Sequence, residues 1–249
     1  MKKRLMKNQK GQVTIFIIIA IVVVVLGILV YMFYPQIKAG LGFGEKNPSE
    51  FIQSCIEEEI ENNVKKLSLQ GGSLAPEHYV MYGNEKVEYL CYTNEYYTTC
   101  VVQQPMLKEH IESEIENEIK EEVAACFDSM KKSYLEKGYE VSLNRGETGI
   151  ELLPERIVAT FDYAFTLTKG DSESYDSFKV VLNNNLYELI SIANSILEWE
   201  ATYGDAETTV YMDYYRDLKV EKKKQSDGTT IYILTDRDAE NKFQFASRS

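Results

Sequence analysis

Between Val13 and Tyr34 lie 22 residues, of which only Thr14 and Gly27 break an apolar run. As an α-helix such a run is about 33 Å long, enough to cross a hydrocarbon core of about 30 Å. It exceeds the apolar core of a secretory signal. A buried helix apolar on every side would need apolar cover all round it, which the acidic remainder of the chain does not offer. The sequence therefore predicts a single-pass transmembrane helix over 12–35. Tyr31, Phe33 and Tyr34 supply an interfacial aromatic belt, and Pro35 marks the exit. Lys2, Lys3, Arg4, Lys7 and Lys10 precede the run, and the first 35 residues hold no acid. That asymmetry places the N-terminus in the cytoplasm and the rest of the chain outside the cell membrane.

The same split governs the charge. The chain carries 27 basic and 39 acidic residues, a formal balance of −12. Five of the basic residues lie ahead of the apolar run, so the remaining 22 and all 39 acids give −17 to the part beyond Pro35. A nucleic-acid partner is excluded by that balance, because nothing beyond the leader would neutralise phosphates. With 44% hydrophobic residues and five Pro, the chain is not disordered as a whole.

The junction reads Lys10-Gly11-Gln12-Val13-Thr14-Ile15-Phe16. It resembles the class III signal peptide of archaeal type IV pilin-like proteins, in which a short basic leader ends in Lys-Gly ahead of an unbroken apolar helix. The resemblance covers about 25 residues. It implies cleavage by a prepilin peptidase between Gly11 and Gln12, and self-assembly with other pilin-like subunits into a cell-surface filament. Many pilins carry Glu at the fifth mature position. This chain has Phe16 there, so the assembly contact made by that Glu does not carry over. Read without the resemblance, the same residues make a plain uncleaved signal anchor. The layout also resembles, more loosely, an uncharacterised protein group of small-genome archaea, through Ser54-Cys55-Ile56-Glu57-Glu58 and Leu69-Gln70-Gly71-Gly72. That likeness names no activity.

Residues 1–11 thus read as a basic leader, 12–35 as the membrane helix and 36–46 as a glycine-rich joint. From 47 to 138 the chain reads as helix–hairpin–helix. Asn47-Pro48-Ser49-Glu50 starts a helix, with Asn47 as cap. Ile52, Cys55, Ile56, Ile60, Val64 and Leu67 follow at helical spacing, and Gly71-Gly72 ends it. The second helix spans about 105–137, on a stripe of Leu107, Ile111, Ile115, Ile119, Val123, Cys126, Met130 and Tyr134, with Gly138 as its stop. Its Glu-rich outer face reads as solvated surface. Between the helices, Val87–Cys91 and Thr99–Val101 form an expected hairpin in which Cys91 faces Cys100 and Thr93 faces Thr98.

Residues 139–249 turn to β. Expected strands run over 139–144, 157–168 and 177–182, the last two joined through Lys169-Gly170-Asp171-Ser172. A helix covers 184–199, and a hairpin of 218–223 and 229–234 turns at Ser226-Asp227-Gly228. Phe243-Gln244-Phe245 closes the chain as a short strand. The fold class predicted is α+β, two long helices and mainly antiparallel strands forming one extracellular domain beyond the membrane helix.

All four cysteines fall in the outer region, where disulfides form. The hairpin register pairs Cys91 with Cys100. That leaves Cys55 with Cys126, joining the apolar faces of the two helices; free buried cysteines are the alternative. Spacings of 36, 9 and 26 do not form a zinc site.

No catalytic motif stands out. His78 and His110 belong to no HExxH pattern, and no GxSxG or phosphate loop occurs. Asp236, Asp238 and Glu240 alternate like calcium ligands but lack the Gly and terminal Glu of an EF-hand. The sequence therefore predicts no enzyme, no cofactor and no metal, and it identifies no small-molecule substrate. The best candidate binding surface is tyrosine-rich: Tyr89, Tyr92, Tyr96 and Tyr97, flanked by Tyr79 and Tyr82. Cross-strand packing accounts for the same alternation. Two functions follow from these readings. One is a pilin-like or other surface-structural subunit anchored by its N-terminal helix. The other is a monomeric anchored module for binding or adhesion.

Overall fold

The computed structural model describes residues 47–249 apart from 96, 239 and 240. The expected leader, the expected processing site at Gly11 and Gln12, and the expected membrane helix from Val13 to Tyr34 lie outside the described residues. Among those described, no helix is long and apolar enough to cross a membrane. Asn47–Ser249 is one compact unit of α+β class, its strands mainly antiparallel.

Helix α1 (Pro48–Leu69) starts where the sequence asks, with Asn47 Oδ1 accepting from Ser49 N at 3.0 Å. Helix α2 (Leu107–Glu136) presents the expected stripe, and all eight of its residues are buried. Phe127 joins them and meets the rings of Phe161, Tyr163 and Phe178. The apolar faces of α1 and α2 belong to one core, and Cys55–Cys126 ties them with Cα atoms 6.1 Å apart.

The hairpin region holds β1 (Tyr79–Tyr82), β2 (Glu85–Tyr92) and β3 (Val101–Val102). The expected register is off by two residues: Cys91 faces Val102, and Tyr92 faces Val101. Cys91–Cys100 forms nonetheless, at a Cα separation of 5.3 Å. The loop is wider because Thr93 sends its N–H to Arg248 O and Tyr97 turns with φ of 65°. The Thr93 and Thr98 hydroxyls still meet at 3.4 Å.

Beyond α2 come β4 (Glu140–Asn144), β5 (Thr148–Leu153), β6 (Arg156–Phe161), β7 (Ala164–Lys169), β8 (Asp171–Tyr175) and β9 (Phe178–Asn183). They form two three-stranded sheets, β4-β7-β8 and β5-β6-β9. The expected single strand over 157–168 is two strands in different sheets, broken at Asp162-Tyr163, where Asp162 N bonds Glu147 O. Ile157, Ala159, Phe161, Tyr163, Phe165 and Leu167 are all buried. Their two-residue period runs straight through the change of sheet, so the pattern carries no trace of it. The segment after Lys169 is not a loop but the return strand β8, paired with β7.

Helix α3 (Leu186–Tyr203) runs one turn past its expected end, to Gly204 at φ 78°. A short helix α4 (Thr209–Tyr214) follows. Strands β10 (Leu218–Lys224), β11 (Thr229–Asp236) and β12 (Lys242–Arg248) complete the chain. The largest sheet is ordered β1-β2-β12-β11-β10, with β3 also on β2. Its β12–β2 pair is parallel, the others antiparallel. β11 is buried on both faces: Tyr232 and Leu234 enter the main core, whereas Ile231 and Ile233 join Val87, Tyr89 and Ala246 in a second cluster.

Candidate functional site

Three polar constellations stand out in this fold. The first grows from the Gln70-Gly71-Gly72-Ser73 loop. Gly71 and Gly72 take φ of 85° and 100°, the left-handed region that favours glycine. A Cβ on Gly71 would lie 2.8 Å from Glu88 Cβ. This approach delivers Ser73 between β2 and α2, where its hydroxyl donates to Glu88 and lies 2.9 Å from His110 Nε2. Glu114 accepts from Leu74 N at 2.8 Å. Burial holds the Glu88 carboxyl above its ordinary pKa, opposed by the Ser73 bond and His110. Serine, histidine and carboxylate are the types used in acyl transfer, but the serine sits between the other two and is only 5% exposed. In the catalytic order the histidine stands between nucleophile and acid. This cluster is a clasp joining loop, strand and helix.

The second constellation surrounds Glu200, which is 3% exposed near the end of α3. Its carboxylate accepts from Tyr232 OH, from Ala206 N at 2.8 Å and from Ser247 Oγ at 2.9 Å. Lys222 Nζ lies 4.0 Å away and bonds Asp205 and Ala206 O. Burial, then the bond to Glu200, pushes the Tyr232 hydroxyl far above its ordinary pKa. Ser247 Oγ is 3.5 Å from Cys100 Sγ, which connects the hub to the Cys91–Cys100 disulfide. Every partner is satisfied, and the hub ties α3, β10, β11 and β12 together.

The third constellation is open. A cleft of about 680 Å³ lies beside α3 and α4 and reaches the β5–β6 turn. Tyr187, Tyr211, Tyr214 and Tyr215 line it, with Glu155, Glu188, Asp217 and Asp236. Tyr211 OH and Ser195 Oγ meet at 2.8 Å; Tyr214 and Tyr215 contact edge to face at 4.8 Å. Glu155 holds φ of 60° in a tight hairpin turn, where glycine is the usual occupant. Its N–H donates to Glu188 Oε1 at 2.9 Å, and its carbonyl accepts from Asn184 N. Glu188 Oε2 is enclosed and has no hydrogen-bond partner among the described residues. Asp236 accepts from Asn185 at 2.6 Å, and Asn185 Oδ1 from Asn241 at 2.7 Å.

The residues singled out by sequence distribute unevenly over this frame. Cys55, Cys126, Cys91 and Cys100 are all paired. Tyr89 is buried, its hydroxyl 2.9 Å from Thr229 Oγ1, and its ring meets Tyr92 at 5.1 Å. His78 packs on both rings, at 4.8 and 4.1 Å. Tyr97 is fully exposed on the loop, and Tyr96 lies outside the described residues. Asp236 and Asp238 form a turn in which Asp238 N bonds Asp236 Oδ1 at 2.8 Å, with Glu240 outside the described residues. The tyrosines of 203–215 escaped sequence reasoning because no periodic strand or helix pattern marks them. Their density, Tyr203, Tyr211, Tyr214 and Tyr215 within thirteen residues, was the available signal.

No family model matches this chain, and no curated protein and no solved structure matches it either.

Proposed function

We propose that this chain is a membrane-anchored surface protein. In this reading a prepilin peptidase removes the leader after Gly11, the helix from Val13 to Tyr34 stays in the membrane, and Asn47–Ser249 is displayed outside as a pilin-like or surface-structural subunit. The observation that carries the reading is the pairing of all four cysteines. Paired cysteines belong to an oxidising compartment, and here they sit in the unit that follows a cationic leader and a membrane-length apolar run. N-terminal sequencing of protein purified from native membranes tests the processing step: Gln12 is the expected first residue, and an intact Met1 refutes the pilin-like part. Thiol labelling of unfolded, unreduced protein tests the compartment. No cysteine should react, and labelling of all four would overturn display outside the cell.

A second reading is an anchored binding module that works as a monomer. The open, tyrosine-lined cleft beside α3 and α4 favours it. Extraction in mild detergent should then release single subunits. Recovery only in sheared filaments returns the argument to the structural subunit.

A further inference from the structure

We propose that the cleft beside α3 and α4 binds an organic ammonium group, a protonated amine or a quaternary ammonium. The proposal rests on the binding-module reading. The volume, about 680 Å³, lies within the range of small-molecule sites. Four tyrosines line it, and aromatic side chains hold ammonium groups through the negative faces of their rings. Its charged lining is four carboxylates against Arg216. Among the described residues, Glu155, Glu188 and Asp217 form no ion pair, so the cleft keeps its negative field.

An independent observation asks for a donor. Glu188 Oε1 is taken by the N–H of Glu155, while the enclosed Oε2 has no partner. A buried carboxylate oxygen left without a hydrogen bond is costly, and most such atoms are satisfied. A ligand N–H or a polarised N–CH that opened this wall would satisfy it. The carboxylates do not converge as a metal site requires. Among the described residues, no group of three or more His, Cys, Asp or Glu side chains is placed to hold an ion. Charge spread along a tyrosine-lined groove suits an extended organic cation better than a point charge, which needs six to eight oxygens at one centre. A neutral sugar would use the rings but leave the field unanswered. The excess of acid over base beyond Pro35 draws cations towards the domain at low ionic strength.

The test is calorimetric titration of the full chain in a non-ionic detergent, since phosphocholine detergents carry the very group in question. The probes are spermidine, tetramethylammonium and Nα-acetyl-lysine amide, with Mg²⁺ at matched ionic strength and N-acetylglucosamine as comparators. Saturable binding of at least one ammonium probe is expected. Glu188→Gln and Tyr214→Ala should each weaken it about tenfold or more, equivalent to about 1.4 kcal/mol. Glu198→Gln, an equal charge change elsewhere on α3, should leave it unchanged. Spermidine alone points to a free polyamine, and binding of the lysine amide points to a lysine side chain of a partner. Equal heats from Mg²⁺, binding of the sugar alone, or equal loss in Glu198→Gln would overturn the proposal. Tyr214 is 79% exposed, so that variant stays folded if Glu188→Gln does not. Processing and thiol labelling are measured separately, so an empty cleft on a properly exported chain refutes this inference and leaves the surface-protein reading standing.

Discussion

Two carboxylates on one helix meet opposite fates. Glu188 lies in the first turn of α3, where the exposed N–H groups and the helix dipole favour negative charge. Glu200 lies near the other end, where the dipole opposes it. Yet Glu200 is the buried one, with three donors and Lys222 beside it, whereas Glu188 keeps an oxygen without a partner. The disfavoured position was therefore built up with compensating donors, and the favoured one was left incomplete. Complete satisfaction marks a structural joint. An incomplete carboxylate in an open, tyrosine-lined cleft marks a place prepared for something else.

The largest expected effect comes from breaking the closed end. Glu200→Ala strips the acceptor from Tyr232, Ser247 and Ala206 inside the core. Buried donors left unpaired cost about 1–3 kcal/mol each, and relaxation shares some of it, so a loss of about 3–5 kcal/mol is expected in urea melts. Glu188→Ala gives up one hydrogen bond but also removes a carboxylate oxygen that has no partner among the described residues. Its expected change is below about 1 kcal/mol in either direction. Equal losses would erase the contrast between the two ends.

The disulfide beside the hub comes next. Replacing Cys91 and Cys100 by Ser opens a loop of about ten residues, worth about 3 kcal/mol in the chain-entropy model. Cys100 Sγ also touches Ser247, a partner of Glu200. Combined with Glu200→Ala, the two losses should fall short of additive by at least about 0.5 kcal/mol, as expected for coupled neighbours. Strict additivity would show that hub and disulfide act apart.

At the open end the effect changes sign. Glu155 sits at φ 60°, where a side chain is strained and glycine is not. Glu155→Gly keeps the backbone N–H that Glu188 accepts and should stabilise the domain by about 0.5–1 kcal/mol. A loss of stability would mean that the Glu155 side chain does structural work at the cleft.

The same contrast decides what could be read in advance. The two long helices were legible because Ile52 to Leu67 and Leu107 to Tyr134 repeat at helical spacing, and Asn47 and Gly138 bracket them in the expected way. The disulfides were legible from count and placement, although the register offered for Cys91 and Cys100 was two residues off. The hub was not legible, because Glu200, Tyr232 and Ser247 are far apart in sequence and only the packing of α3 on the sheet joins them. The break at Asp162-Tyr163 was hidden by an alternation that continues through it. β8 reads Asp-Ser-Glu-Ser-Tyr, an exposed edge strand with no apolar signal to find. The cleft escaped because its tyrosines come from α3, α4 and the segment after α4, and only the fold gathers them.

The smallest effect concerns the rim of the closed end. Asp205 bonds Lys222 and Lys224, and the Lys222 bond above all holds its carboxyl below the ordinary value near 3.8. A carboxyl with a depressed pKa in the folded state contributes stability that is present above its unfolded pKa and lost as the pH falls through the folded one. Asp205 is 60% exposed, so its contribution is that of a screened surface pair, about 0.5 kcal/mol. Asp205→Asn should thus cost about that much at pH 6, and the gap to wild type should close as the pH falls below about 3.8. Added salt should narrow the gap at pH 6 as well. A gap that persists into acid would place the cost in the lost hydrogen bonds rather than in charge. The rim would then belong with the buried hub, where donors and acceptors decide stability, and the cleft would be the part of this pair of regions governed by its field.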